Sequence, residues 1–350
     1  MESQMHLIEE RLNRLPWYIT EFIEYKGHRT TENTLLSYCR DFEVFFNWLV
    51  AEGFHPGPAK EIPLETLETL RAKDIISFEM FCSKRLGNAT DTIARRISAL
   101  KSLFHYLSQI AEDENFYPYL KRNVMAKIDV VREKQTEEEK AERISSRILL
   151  DEEIDQFREF IAQGYGELVK DDTKKYNAYV RNRERDLAII SLILGSGLRV
   201  SEIVSLDMDK IDWHNQHVLV KRKGNKHDKV VFSDIALQDM LEYKKIRESR
   251  YQPDKSEKAF FLSYPTRNGK ATRLSRNAVQ KMVNRYAKAF GKGTLSVHKL
   301  RHTFATQHYK NNKDIYTLKR QLGHSNINTT VIYTHVFDNT LKESVNKADN

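Results

Sequence analysis

From Thr31 onward the apolar residues Leu35, Tyr38, Phe42, Phe45 and Leu49 return at steps of three and four, and Gly53 stands where such a run would stop. That step is the period of an α-helix, so one face of the segment is apolar along its length. The same step carries a second helix from the candidate N-cap Thr90 through Ile93, Ile97, Leu100, Phe104 and Leu107, and a shorter helix is expected over Lys73 to Lys84. The first 120 or so residues therefore read as all-helical. The far face of the second helix holds Arg95, Ser98, Lys101, Ser102 and His105. Those groups suit a helix facing phosphates, and equally an ordinary solvated face.

Between Val130 and Arg147 the run REKQTEEEKAERISSR loses this period and charges of both signs dominate, as in a solvated connector. A chain of 350 residues has room for two cores. The expected division is a helical N-terminal domain over 1–128, a charged linker over 129–147 and a second domain over 148–350. Leu149, Leu150 and Asp151 resume a helix start with Asp151 as N-cap, and a long apolar helix is expected from about Arg185 to Leu194. The period then changes. His217 to Lys221 and Lys229 to Phe232 are β-rich runs flanking the turn formers Lys223, Gly224 and Asn225, which predicts a hairpin. Ala259 to Leu262 is a candidate third strand, and helical signals return from Ser275. The fold class expected is mainly α with a small β-sheet.

The formal net charge of +8 suits a polyanionic partner, since clustered Lys and Arg release phosphate counterions on binding. The two cysteines, Cys39 and Cys82, lie in helix-like segments among apolar neighbours, too few for a disulfide scaffold or a cysteine-rich metal site. Glu2 to Arg14 is charged and amphipathic, without the apolar stretch of a signal peptide or membrane span. A soluble, cytoplasmic protein with no membrane partner is expected.

Three segments hold residues that could do chemistry. In VHKLRHTFATQHY, His298, Arg301 and His302 fall at steps of three and four, so at least His298 and Arg301 share a face. A metal held by His298 and His302 is the alternative, but the glutamate of an HExxH site is missing and no carboxylate lies nearby. In LGHSNINTTVIYTH, a turn at Gly323 presents His324 while a following helix carries Tyr333, nine residues on. In LGSGLRVSEIVSL, Arg199 follows two glycines, and Ser201 is a candidate cap for a short helix containing Glu202. Each alone also has a plain reading: an Arg199–Glu202 ion pair, a solvated helix face, a half-buried tyrosine.

Taken together, GLRVSE, KRKGNK, HKLRHTFAT and LGHSNINTTVIYTH resemble the signature of the tyrosine recombinase family, in that family's order. The resemblance covers nearly the whole chain, because the helical N-terminal half looks like the family's SAM-like core-binding domain. PWYI near Trp17, DFEVFFNWL, FYPYLKRNVMAKI and NRERDLAIISLIL are similar to the Xer branch, and within it to recombinases that act as a single enzyme.

The resemblance implies six catalytic residues, Arg199, Lys223, His298, Arg301, His324 and Tyr333, with Tyr333 as nucleophile. Lys221, Lys226 and Lys229 are close alternatives for the lysine. Attack on a phosphodiester builds charge on the non-bridging oxygens, and forked guanidinium donors from Arg199 and Arg301 suit its clamping. His324 would add a third donor, and His298 would accept the phenol proton or orient the group that does. A free phenol, with a pKa of about 10, needs clustered positive charge to favour its phenolate. Lys223 would protonate the departing 5′-oxygen, leaving a 3′-phosphotyrosyl bond that a second 5′-hydroxyl reverses through a Holliday junction, with no metal, ATP or other cofactor. Thr30, Thr31, Arg95 and Lys101 are candidates for DNA contact in the major groove. The resemblance further implies a dif-like double-stranded DNA site, chromosome-dimer resolution with an FtsK-type DNA translocase, and a DNA-bound homotetramer linked by a tail helix carrying Val336, Phe337, Leu341 and Val345. A mobile-element integrase, a type IB topoisomerase and a non-catalytic DNA binder are the rival expectations.

Overall fold

The computed structural model describes residues 4–130, 136–222, 227–265 and 269–335, and the chain divides into two compact units, Met1–Lys134 and Gln135–Asn350. The first unit is built from α1 (Gln4–Leu12), α2 (Trp17–Gly27), α3 (Glu32–Ala51), α4 (Leu64–Thr69), α5 (Ala72–Lys84) and α6 (Thr90–Gln109). α3 begins after Thr31, where the apolar run starts, with the Thr31 side chain capping it by accepting the Thr34 N–H, and Gly53 at a φ of +78° closes it off. Phe42, Phe45, Phe46 and Leu49 of α3 meet Leu100, Leu103, Phe104 and Leu107 of α6 in one core. Burying each such side chain stabilises the unit by roughly 1.5–3 kcal/mol. Cys39 and Cys82 are buried free thiols in this core. The N-cap of α6 is Ala89, not Thr90, so Thr90 is its first helical residue and no side chain caps the helix.

The second unit contains α7 (Glu137–Ser145), α8 (Glu152–Glu159), α9 (Tyr165–Val169), α10 (Thr173–Ser196), α11 (Val200–Val204), β1 (Ile211–Asp212), β2 (His217–Lys221) and β3 (His227–Val231). α12 (Asp234–Tyr251), α13 (Arg276–Ala289), α14 (Val297–Asn312), α15 (Ile315–Leu322) and α16 (Asn328–His335) complete it. α10 is the spine of this unit, with Ala188 to Ile190, Leu192 and Ile193 fully buried and α12 and α14 packed against it. It starts at Thr173, behind the Asp172 cap, twelve residues before the expected Arg185, because its first turns are dominated by Lys, Arg and Asn.

Two expectations are corrected. The linker expected over 129–147 contains α7, which Thr136 and Glu139 close with a reciprocal capping box and which buries Ala141 and packs on α16. A capping box written in glutamates looks like a charge run. Ala259 to Leu262 is not the third strand: it makes isolated bridges to Asp207 and Arg273, while the antiparallel sheet runs β1-β2-β3. Side chains share its backbone bonds with these neighbours: Arg247 donates to the Phe260 carbonyl (3.1 Å), Arg185 to that of Leu262 (2.9 Å), and the Leu262 N–H reaches the Tyr243 hydroxyl (3.1 Å), while the Phe260 N–H donates to the Leu206 carbonyl (2.8 Å). The expected hairpin is present as β2 and β3, paired from His217↔Val231 to Lys221↔His227.

Among the described residues, no helix is long and apolar enough to cross a membrane.

Candidate active site

α10 ends at Gly197, whose φ of +70° suits glycine and where a Cβ would run into Phe304 and Leu322. This reversal places Arg199 at the N-cap of α11. Its N–H donates to Glu202 Oε2 (2.8 Å) and its Nη1 to Glu202 Oε1 (2.9 Å). Ser201, the expected cap, therefore lies inside α11; the Glu202 carboxylate reaching back has taken the capping task.

α14 supplies His298, Arg301 and His302. Arg301 is buried, donating through Nη1 to the Gly197 carbonyl and through Nη2 to that of Leu322 (2.7 Å), with Nη2 also 3.2 Å from His324 Nε2. A guanidinium only donates, so Nε2 accepts and the His324 proton sits on Nδ1, 3.0 Å from Thr330 Oγ1. Arg199 Nη2 donates to the Gly323 carbonyl (3.4 Å), and Arg222, at the end of β2, to that of Gln321 (2.8 Å). The turn presenting His324 thus hangs from three guanidinium groups, all gathered on buried Glu202: Arg199 at 2.9 Å, Arg222 at 3.7 Å and Arg301 at 4.0 Å. Gly323 has a φ of +62°, and a Cβ there would overlap the Arg222 guanidinium.

Tyr333 of α16 is 2% exposed, and its hydroxyl lies 2.7 Å from His302 Nδ1. The His298 and His302 rings meet edge to face at 4.3 Å.

Burial, then the Arg199 charge, pushes Arg301 down to about 10. Burial with Arg301, Arg199 and Arg222 pushes His324 down to about 4. His298 sits exposed at the rim, and its pKa is lowered by the protein packed around it and by Arg301 and Arg199. The phenol behaves opposite to the expectation that clustered charge favours its phenolate: burial outweighs the two guanidiniums and raises Tyr333 to about 12. At neutral pH the phenol is a protonated, enclosed group.

Arg199, His298, Arg301, His324 and Tyr333 line one cleft, together with Lys221, Arg222, Lys319 and Arg320. Lys223 lies outside the described residues, as do Val336, Phe337, Leu341 and Val345 of the tail. Thr30, Thr31, Arg95 and Lys101 are in the other unit. Arg95 lines a small groove with Asn33, Thr34 and Ser37, and it pairs with buried Asp41 of α3. Thr31 is the exposed cap of α3, while Thr30 and Lys101 are half-buried. The sequence left the shared carboxylate role of Glu202, Arg222 and the His302–Tyr333 contact unassigned; the second histidine of HKLRHT was the one available signal. Among the described residues, no group of three or more His, Cys, Asp or Glu side chains could hold a metal ion.

The profile of the Phage integrase family matches residues 167–340, and that of the Phage integrase, N-terminal SAM-like domain matches residues 19–109. The chain is 36% identical to the tyrosine recombinase XerS of Streptococcus gordonii, over 97% of this chain and 99% of that protein. It is 35% identical to XerS of Streptococcus mutans, over 99% of both. In fold it is similar to the XerH site-specific recombinase bound to a palindromic difH substrate, with a TM-score of 0.65, 22% identity, and 91% of this chain and 80% of that one covered. A lambda integrase dimer bound to a COC' core site is similar at a TM-score of 0.59 and 13% identity, over 92% of this chain and 77% of that one.

Proposed function

This chain belongs to the tyrosine recombinase family, and on that premise we propose that it exchanges DNA strands as a single-enzyme, Xer-type recombinase with Tyr333 as nucleophile. The observation that supports the assignment most is that Tyr333 shares one cleft with Arg199 and Arg301, whose guanidiniums Glu202 gathers. A phosphodiester entering the cleft meets forked donors already fixed in place, which stabilises the charge that attack builds on its oxygens. His324 joins as a donor once its Nε2 leaves Arg301 and carries a proton. Tyr333 attacks the phosphorus in line, forming the 3′-phosphotyrosyl bond while Lys223 protonates the leaving 5′-oxygen. The protein–DNA ester retains the bond energy, so a 5′-hydroxyl from a second duplex reverses the step through a Holliday junction.

The DNA target is a dif-like site, in keeping with the XerS relatives and the difH-bound XerH likeness. Chromosome-dimer resolution in the cytoplasm is the role. Thr30, Thr31, Arg95 and Lys101 contact the duplex, the tail links a homotetramer on DNA, and an FtsK-type translocase is a further partner. A suicide substrate nicked beside the cleavage site tests the chemistry: the wild type should form a covalent adduct that Tyr333→Phe abolishes. Wild-type protein that binds this DNA and never links to it at any pH would be a non-catalytic binder.

A further inference from the structure

The six residues of the family pattern leave His302 without a role, yet its Nδ1 is the group that meets the Tyr333 hydroxyl, at 2.7 Å. His298 sets its ring edge to face against that of His302. Resting on the recombinase reading above, we propose that His302, rather than His298, accepts the phenol proton as Tyr333 attacks DNA and returns it when the strands are rejoined.

The groups facing His302 are His298, Lys299 and Arg301 from its own helix, His324 from the turn before α16, and Tyr333 from α16. Burial first, then His298, Arg301, His324 and Lys299, pushes His302 down to about 3, so the ring is neutral and has a lone pair to offer. In the free protein it is a weak base. A DNA phosphate held by Arg301 together with Arg199 brings negative charge beside Arg301 and offsets that part of the depression. The base is thereby strengthened by the substrate it serves. In the forward step the Tyr333 O–H bond breaks and its proton passes to Nδ1, the bond from Oη to phosphorus forms, and the bond from phosphorus to the 5′-oxygen breaks. That oxygen takes its proton from the general acid; in the reverse step the proton on Nδ1 returns to the departing phenol.

His302→Asn puts an amide oxygen near the Nδ1 position, so the phenol keeps an acceptor that cannot take its proton. On the nicked suicide substrate this variant should bind DNA like the wild type and form the adduct about 10²-fold more slowly. Its rate should climb with pH where the wild type is flat. Replacing Tyr333 by 3-fluorotyrosine, a more acidic phenol, should recover more of the rate in His302→Asn than in the wild type. Equal rates and pH profiles, or a defect that the fluorinated phenol leaves unchanged, overturn the proposal. If the Asn variant does not fold, His302→Gly with added imidazole decides: the adduct rate should rise with imidazole concentration, and no rise refutes the role. Absence of adduct from the wild type would instead sink the recombinase reading, and this one with it.

Discussion

The second unit buries two carboxylates among arginines, and they differ in what they leave over. Asp186 is wholly enclosed: it accepts from Arg185 (2.6 and 3.0 Å), Arg285 (3.2 Å) and the Tyr286 hydroxyl (3.0 Å). Arg185 directs a further donor to the Leu262 carbonyl. Glu202 gathers three guanidiniums to the two on Asp186, and of its three the Arg199 side chain is 39% exposed and faces the cleft. A closed network of this kind holds the chain together, while an open one holds donors ready for an anion.

Replacing each centre should break the pair apart. Asp186→Asn leaves Arg185 buried without its countercharge and should lower the unfolding free energy by roughly 3–5 kcal/mol; denaturant unfolding measures it, and folded protein should still cut. Unchanged stability would mean that the Asp186 network is not a structural centre. Arg301→Lys at the open centre loses the fork that spans the Gly197 and Leu322 carbonyls, and adduct formation should fall about 10²–10³-fold with DNA binding kept. Glu202→Gln should act more gently on stability than Asp186→Asn, by about 1–2 kcal/mol, while slowing cleavage as Arg199 and Arg301 drift apart. A Glu202→Gln protein that melts early yet cuts normally would erase the distinction.

The smallest effect expected is a pH slope. His302 and His324 have folded pKa values of about 3 and about 4, below the unfolded value of about 6.5. Between those limits only the unfolded chain takes up their protons, so the stability they confer is full above about pH 6.5 and is lost as pH falls toward 4. Melting temperatures at pH 7 and pH 5 should differ, and His324→Asn should narrow the gap. Equal slopes in both proteins would count against a buried, neutral His324.

Much of this was legible in the sequence. α3 and α6 are foretold by apolar steps of three and four, and the motif residues around Arg199, Arg301 and Tyr333 do converge on one cleft. Other parts left no local trace. The first turns of α10 are polar, α7 hides in a run of charges, and β1 is two residues long. The His302–Tyr333 contact joins residues 31 apart, and Glu202 collects arginines from α14 and from just past β2 as well as its own turn. Local spacing cannot report such meetings. The rise in the Tyr333 pKa was hidden for the same reason, because it is set by how deeply α16 is packed.

Gly197 ties these observations to the main chain. It ends α10, offers its carbonyl to Arg301 and stands two residues before Arg199. The gap between the two cationic jaws is therefore measured from one backbone turn, like a caliper whose hinge is Gly197 and whose clasp is Glu202. Target preference is free to drift by exchanges elsewhere in the molecule while that gauge keeps its setting.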